Sequence, residues 1–135
     1  MAHPVAPYKK TPAVARGDQV DIVNTNHGCQ STTTTDECSD DVFVNGIGIH
    51  RQGDNNTIHL VSYGICVPHQ TPITIGSITV FANSMGVARV GDYYTGGENV
   101  SCNDTDDDNN QDNNSNNSNG SHDVFAGPIN SCYSL

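Results

Sequence analysis

Short runs of β-branched and aromatic residues, broken by turn-forming pairs, set the pattern along this chain. Ile73-Thr-Ile-Gly-Ser-Ile-Thr-Val-Phe-Ala82 nearly alternates apolar and polar positions, as half-buried strands do. A Val-Phe pair recurs at Val42-Phe43, Val80-Phe81 and Val124-Phe125. Asn45-Gly46 and Asn83-Ser84 follow the first two pairs, and an Asn-Gly step is a strong short-range hairpin signal. A second strand then runs from Gly48 to Arg51 or from Gly86 to Arg89 and stops at Gly-Asp. The unit is therefore strand, tight turn, strand and Gly-Asp stop, followed by a loop. No window holds helical periodicity for more than a turn or two, so the chain is predicted to be mainly β.

The rare residues show that this unit is repeated. The three arginines stand in matching settings: Ala15-Arg16-Gly17-Asp18, His50-Arg51-Gln52-Gly53-Asp54 and Ala88-Arg89-Val90-Gly91-Asp92. The three phenylalanines recur in step, and a small pair precedes each Val-Phe: Cys38-Ser39, Gly76-Ser77 and Gly120-Ser121. A recurrence of about 35–40 residues is the size of one supersecondary element. The chain is thus an internal triplication, predicted to fold as three pseudo-symmetric hairpins with long loops. Arg and Asp are expected to pair and fix the turns, since such pairs are directional and bidentate; in an acidic chain this is preferred to a binding site of three arginines. A single chain with three equivalent faces could also cap a homotrimer, whose end otherwise leaves three strand edges unpaired.

Composition sharpens the picture. The 135 residues are one domain's worth, with 34% hydrophobic residues and no tryptophan, thin for a globule of this size. Something besides hydrophobic burial should therefore contribute, or part of the chain should stay unpacked. The formal net charge of -10 excludes the basic stripe of a nucleic-acid-binding protein. No apolar run is long enough for a membrane helix. The N-terminal residues lack the apolar segment of a signal peptide, so general secretory export is not expected. Residues 103–121 are rich in Asn and Asp without one apolar side chain, and read as a flexible insertion within the single domain 1–135. They lack the acid spacing and the glutamate of a calcium loop.

The metal-capable residues gather in the loops after each Gly-Asp. The first loop holds His27 and Cys29, the second His59, Cys66 and His69, the third Cys102. Cys66-Val-Pro-His69 has a spacing that could bring two side chains to one ion. If the hairpins converge, the loops converge, and imidazole with thiolate in four-coordinate geometry suits zinc. Disulfides compete for the cysteines, for example Cys29 with Cys38, but an odd count of five argues against a full framework. His50 aligns with Ala15 and Ala88 and is set aside as a ligand. His3, His122 and Cys132 fall outside the loops. No nucleophile elbow, zincin helix or phosphate loop is present. A catalytic zinc would want a glutamate base, and neither of the two glutamates, Glu37 and Glu98, is expected near the candidate ligands. The expected ion is structural and the expected protein is not an enzyme.

Pro12-Ala-Val-Ala-Arg16-Gly-Asp18, Gly86-Val-Ala-Arg89-Val-Gly-Asp92 and the Gly-Ser-x-x-Val-Phe segments resemble the PAAR-repeat family. His27-Gly28-Cys29 and His69-x-x-Pro-Ile-x-x-Gly-Ser77 are similar to its loop signatures. The resemblance covers about residues 11–102 and returns at 120–127. It implies a small conical domain that sharpens a homotrimeric β-helical spike in contractile phage tails or type VI secretion systems. It also implies a zinc held by three histidines and one cysteine, here His27, His59 and His69 with Cys66 or Cys102; iron is the other ion considered. Gly48 and His50 depart from the motif in the second copy, and the Asn/Asp run splits the third. The short ending at Val124-Phe-Ala-Gly-Pro128 looks like the phage versions, which implies a virion component assembled in the host cytoplasm. Val42, Phe43, Val80, Phe81, Val124 and Phe125 would bind the spike, and the tip would press mechanically on the outer membrane of the target cell. A small adhesion or carbohydrate-binding module and a zinc enzyme are the readings from other classes.

Overall fold

The computed structural model describes residues 11–102 and 119–132. Among these the chain forms nine short strands and no helix: β1 (Ile22–Asn24), β2 (Thr32–Thr34), β3 (Phe43–Val44), β4 (Ile47–Gly48), β5 (His59–Ser62), β6 (Cys66–His69), β7 (Phe81–Ala82), β8 (Met85–Gly86) and β9 (Asn99–Val100). The strands make a three-stranded antiparallel sheet in the order β2-β1-β9 and three hairpins, β3-β4, β5-β6 and β7-β8. The protein is a small, mainly β domain, as the sequence predicts.

Two hairpins close on the predicted turn residues. Asn45 and Gly46 sit at φ 57° and 78°, Asn83 and Ser84 at φ 54° and 70°. Two consecutive left-handed residues are what a two-residue hairpin turn needs, and Asn tolerates that conformation better than most side chains. Gly48 does not interrupt its copy. A Cβ there would lie 2.4 Å from the Ser39 carbonyl oxygen, and one at the equivalent Gly86 would lie 2.4 Å from that of Ser77.

The third hairpin is built from the two ends of the described chain. Phe125 pairs with Ala13 as Phe43 pairs with Gly48 and Phe81 with Gly86, and Ala126 N–H donates to Pro12 O. Hence the Asn/Asp run does not split a copy. Arg16 has no Val-Phe before it and Phe125 no Arg after it because they are two halves of one unit.

Around these units the backbone hydrogen bonds form closed cycles. Ala15 N–H donates to Ala88 O (2.9 Å), Ala88 N–H to His50 O (2.9 Å), and His50 N–H to Ala15 O (3.1 Å). A second cycle runs from Gly17 to Gly48, Gln52 to Gly86 and Val90 to Ala13. A third equivalent set lies within the copies, from Ser39 to Ile49, Ser77 to Val87 and Ser121 to Val14. In each copy the serine hydroxyl accepts from the N–H groups two and three residues on, including those of Val42, Val80 and Val124. One apolar cluster consists of two positions from every copy: Val14, Ile49 and Val87 with Val44, Ala82 and Ala126. The triplication in sequence is therefore a threefold arrangement in space.

The arginines fix the turns, as expected from their pairing. Arg51 grips Asp54 and Arg89 grips Asp92 through Nε and Nη2, and the same carboxylates accept the arginine backbone N–H. The first copy differs: Arg16 pairs with Asp21, not Asp18. Arg-Gly-Asp leaves Asp18 one residue short of the spacing in the other copies, and Asp18 and Gln19 take left-handed φ of 58° and 63° before the chain reaches Asp21. The remaining guanidinium nitrogen reaches the turn of the next hairpin, at Asn45, Asn83 or the carbonyls of Ala126 and Pro128.

Most of the predicted insertion at 103–121 lies outside the described residues. Its last three residues, however, are buried: Asn119 bonds both backbone groups of Ile22, Gly120 N–H donates to Asp21, and Ser121 caps the third unit. The insertion therefore stops short of Asn119.

His50 breaks the symmetry. Its Nδ1 donates to Glu37 O (2.7 Å), and its Nε2 accepts from the buried Tyr94 hydroxyl (2.8 Å). Burial holds the imidazole below its ordinary value, so the folded protein excludes a proton that the unfolded chain takes up below about pH 6.5. Stability from this pair is full above that pH and declines as pH falls through it. His50→Ala, which copies the other two repeats, should nevertheless destabilise by about 3 kcal/mol, because it leaves the buried Tyr94 hydroxyl without its acceptor. Urea titration at pH 7.5 measures this loss, which should shrink at pH 5.5.

Candidate metal centre

Three loops, each following one Gly-Asp stop, bring four side chains together. His27 comes from the segment after β1, where Asn26 at φ 63° turns the chain. His59 and His69 face each other at the open end of the β5-β6 hairpin, in direct cross-strand register. Cross-strand partners lie on one face, so both imidazoles point the same way. Glu98 precedes β9, which pairs with β1 and so places Glu98 beside His27. One ligand atom from each of His27, His59, His69 and Glu98 lies within 4.8 Å of all the others.

The carboxylate is the centre of this group. Glu98 Oε2 stands 2.5 Å from His27 Nε2, 2.7 Å from His59 Nε2 and 3.1 Å from His69 Nε2. Its other oxygen accepts from Asn56 Nδ2 (2.7 Å) and Thr71 Oγ1 (2.9 Å), which fixes the carboxylate's orientation. Glu98 and His59 are buried, while His27 and His69 are partly open. Burial alone would raise the Glu98 carboxyl. Hydrogen bonds from His59, His27, Thr71 and Asn56 outweigh it and hold the group below its ordinary value.

Proton placement shows what the arrangement suits. Nδ1 of His59 faces the Thr57 carbonyl at 2.8 Å, and Nδ1 of His27 faces that of Gly28 at 2.7 Å. A carbonyl only accepts, so these Nδ1 atoms carry the proton. With Nδ1 protonated, Nε2 donates to Glu98 only in an imidazolium, and in a neutral ring its lone pair faces the carboxylate oxygen instead. Lone pairs turned toward one another around a carboxylate make a site that favours a cation. An imidazole that donates to a carbonyl from its far nitrogen is the usual arrangement of a metal-ligating histidine. The four residues could hold a metal ion.

Of the five residues predicted as ligands, the structure gathers the three histidines and excludes the two cysteines. Cys66 is bonded to Cys29, and Cys102 to Cys132, so none of these sulfurs offers a thiolate. Cys66 and His69 stand three apart on a strand, where side chains alternate, and therefore face opposite ways. Cys102 lies exposed beyond β9. Cys38 is the free cysteine among the described residues, so the suggested Cys29–Cys38 pairing is not made. The fourth donor is Glu98, considered from the sequence only as a catalytic base and not as a ligand. Its signal was position: it is the one acid of the loop after Asp92 that precedes the Asn/Asp-rich run.

The Cys29–Cys66 bond also positions the site. Together with the bridge between Cys29 and Val61 and the bond from Ser62 N–H to Gly28 O, it holds the His27 segment along β5. No family model matches the chain, and no curated protein matches it.

Proposed function

We propose that this chain is a spike tip: it caps a homotrimeric β-helical spike of a contractile injection machine, as part of a phage tail baseplate, with zinc as a structural ion. The observation that carries this reading is the closed threefold cycle of backbone hydrogen bonds, which gives one chain three equivalent sides. On each side a Val-Phe pair is exposed: Val42-Phe43, Val80-Phe81 and Val124-Phe125. Large apolar side chains repeated on three equivalent strands form a surface suited to three identical chains. The role is mechanical. Contraction drives the tube, and a compact point delivers the force to a small area of the target outer membrane.

Zinc suits three imidazole nitrogens and a carboxylate oxygen, and iron is the other ion such donors take. When bound, the ion would supply positive charge among four donors drawn from three loops. Glu98, the one carboxylate of the cluster among the described residues, is itself a donor, which favours a structural ion over a hydrolytic one. The two disulfides fit a place of work outside the reducing cytoplasm, as for a virion component after release.

The test is reconstitution with the spike protein of the same machine. One chain should bind one spike trimer, measured by native mass spectrometry. Changing Phe43, Phe81 and Phe125 together to Asp should weaken binding by more than a hundredfold, at about 1.5–3 kcal/mol for each lost apolar side chain. The melting temperature of that variant should stay near that of the parent because these side chains are exposed. A parent protein that ignores the trimer would overturn the reading. One zinc per purified chain is the expected metal content.

A further inference from the structure

The β5-β6 hairpin carries a surface that neither the ion nor the Val-Phe pairs explain. Side chains on β5 alternate, so His59 and Val61 face inward while Ile58, Leu60 and Ser62 face outward. Leu60 pairs with Pro68 and Ser62 with Cys66 on that outer face. At the turn, Tyr63 and Ile65 flank Gly64. Ile58, Tyr63 and Ile65 are 60%, 72% and 69% exposed. An antiparallel hairpin with one buried face ordinarily presents polar residues on the other. Here the outer face is apolar as well.

Charge singles out the same element. From Asn55 to Ala88 the chain contains no Asp, Glu, Lys or Arg, although the whole protein carries -10. The free backbone edge of β5 is partly covered too, through Cys29 against Val61 and Ser62 N–H to Gly28 O. We propose that this hairpin tip is a lipid-contacting element that inserts Tyr63, Ile65, Leu60 and Ile58 shallowly into the uncharged interface of a bilayer. An apolar tip free of charge and carrying a tyrosine suits the headgroup–acyl boundary. A strongly acidic protein is repelled by anionic headgroups, so the binding is apolar and favours zwitterionic lipid. The inference extends the piercing role, but it is tested on the isolated chain, so failure to bind lipid and failure to bind a spike are separate results.

The chain contains no tryptophan, so Tyr63→Trp places one reporter at the tip. With phosphatidylcholine vesicles its emission should move to shorter wavelength and be quenched by brominated acyl chains. Replacing a third of the lipid by phosphatidylglycerol should weaken the response, and added salt should restore it. Ile65→Asp in the Tyr63→Trp background should lower vesicle partitioning about tenfold or more while leaving the melt unchanged. Emission that does not respond to vesicles would overturn the proposal. So would a shift produced by the spike trimer but not by lipid, which would make the tip a protein-docking edge.

Discussion

Protein stripped of metal by a chelator should melt about 10–20 °C below protein carrying one equivalent of zinc. Free ion at a thousandfold above its dissociation constant contributes about 4 kcal/mol, and a domain of this size moves a few degrees per kcal/mol. The ion would add a direct tie between loops that the Cys29–Cys66 bond and the β1-β9 pairing already bring side by side. His27 follows β1, His59 and His69 close the open end of β5-β6, and Glu98 leads into β9. Without a cation, three imidazole nitrogens surround one carboxylate oxygen. Glu98→Gln keeps the shape and removes the charge. Its zinc affinity should fall by more than the roughly 10–100-fold that loss of an outer hydrogen-bond partner costs. His59→Ala should abolish the metal dependence of the melt. Calorimetry on oxidised protein, with both disulfides intact, is the measurement. Equal melting temperatures with and without zinc would remove the ion from the account of stability.

What the sequence made legible were features encoded over a few residues. The serine that caps Val-Phe and the arginine that grips an aspartate three residues on each need one local motif, so their recurrence revealed the triplication. Joining the copies is a tertiary event. Nothing near Phe125 says that its strand partner is Ala13, at the other end of the described chain, and the third unit therefore looked interrupted. Among the site residues, the histidines were visible as loop residues of a metal-capable type. Cys66 was misassigned because a spacing of three unites side chains on a turn and separates them on a strand. Glu98 was overlooked because linear distance from the histidines hid the pairing of β9 with β1. The odd number of cysteines was a poor guide: one thiol, Cys38, stays free and the other four pair.

Symmetry and its absence divide the molecule by role. The hairpins, arginines and capping serines keep to the threefold pattern, and the exposed Val-Phe pairs share it. The loops do not: one gives a single histidine, the next two histidines, the last a glutamate. A trimeric partner would need only the first set to be equivalent. An ion needs four donors, a number that three equal copies cannot supply. Besides His50 and the Arg16–Asp21 pair, the departures from repetition lie in the loops that carry His27, His59, His69 and Glu98.

Replacing Arg89 by alanine should cost about 3–5 kcal/mol, more than the same change at Arg51, although the two occupy one position of the repeat. The difference lies in burial. The side chain of Arg89 is 3% exposed, against 12% for Arg16 and 16% for Arg51. Arg89 also spends its remaining nitrogen on two carbonyls, those of Ala126 and Pro128, which belong to the unit closed by the chain ends. Its loss strands the buried Asp92 carboxylate, whose other side-chain partner is Asn130, and releases the closing segment. Breaking a buried pair from one side is costly because the surviving charge remains out of water, and the Asp54 carboxylate left by loss of Arg51 keeps more access to water (8% exposed) than Asp92 (0%). Burial already pushes the Asp92 carboxyl up, against the hydrogen bonds from Arg89 and Asn130. Without Arg89 the folded state would take up a proton there more readily than the unfolded chain does. The deficit of Arg89→Ala should therefore shrink as pH falls toward the carboxylate range. Urea unfolding of the three alanine variants at pH 7 and pH 4.5 gives the comparison. Equal losses at all three arginines, or a loss at Arg89 that does not change with pH, would show that the pair is not held in the dry interior described here.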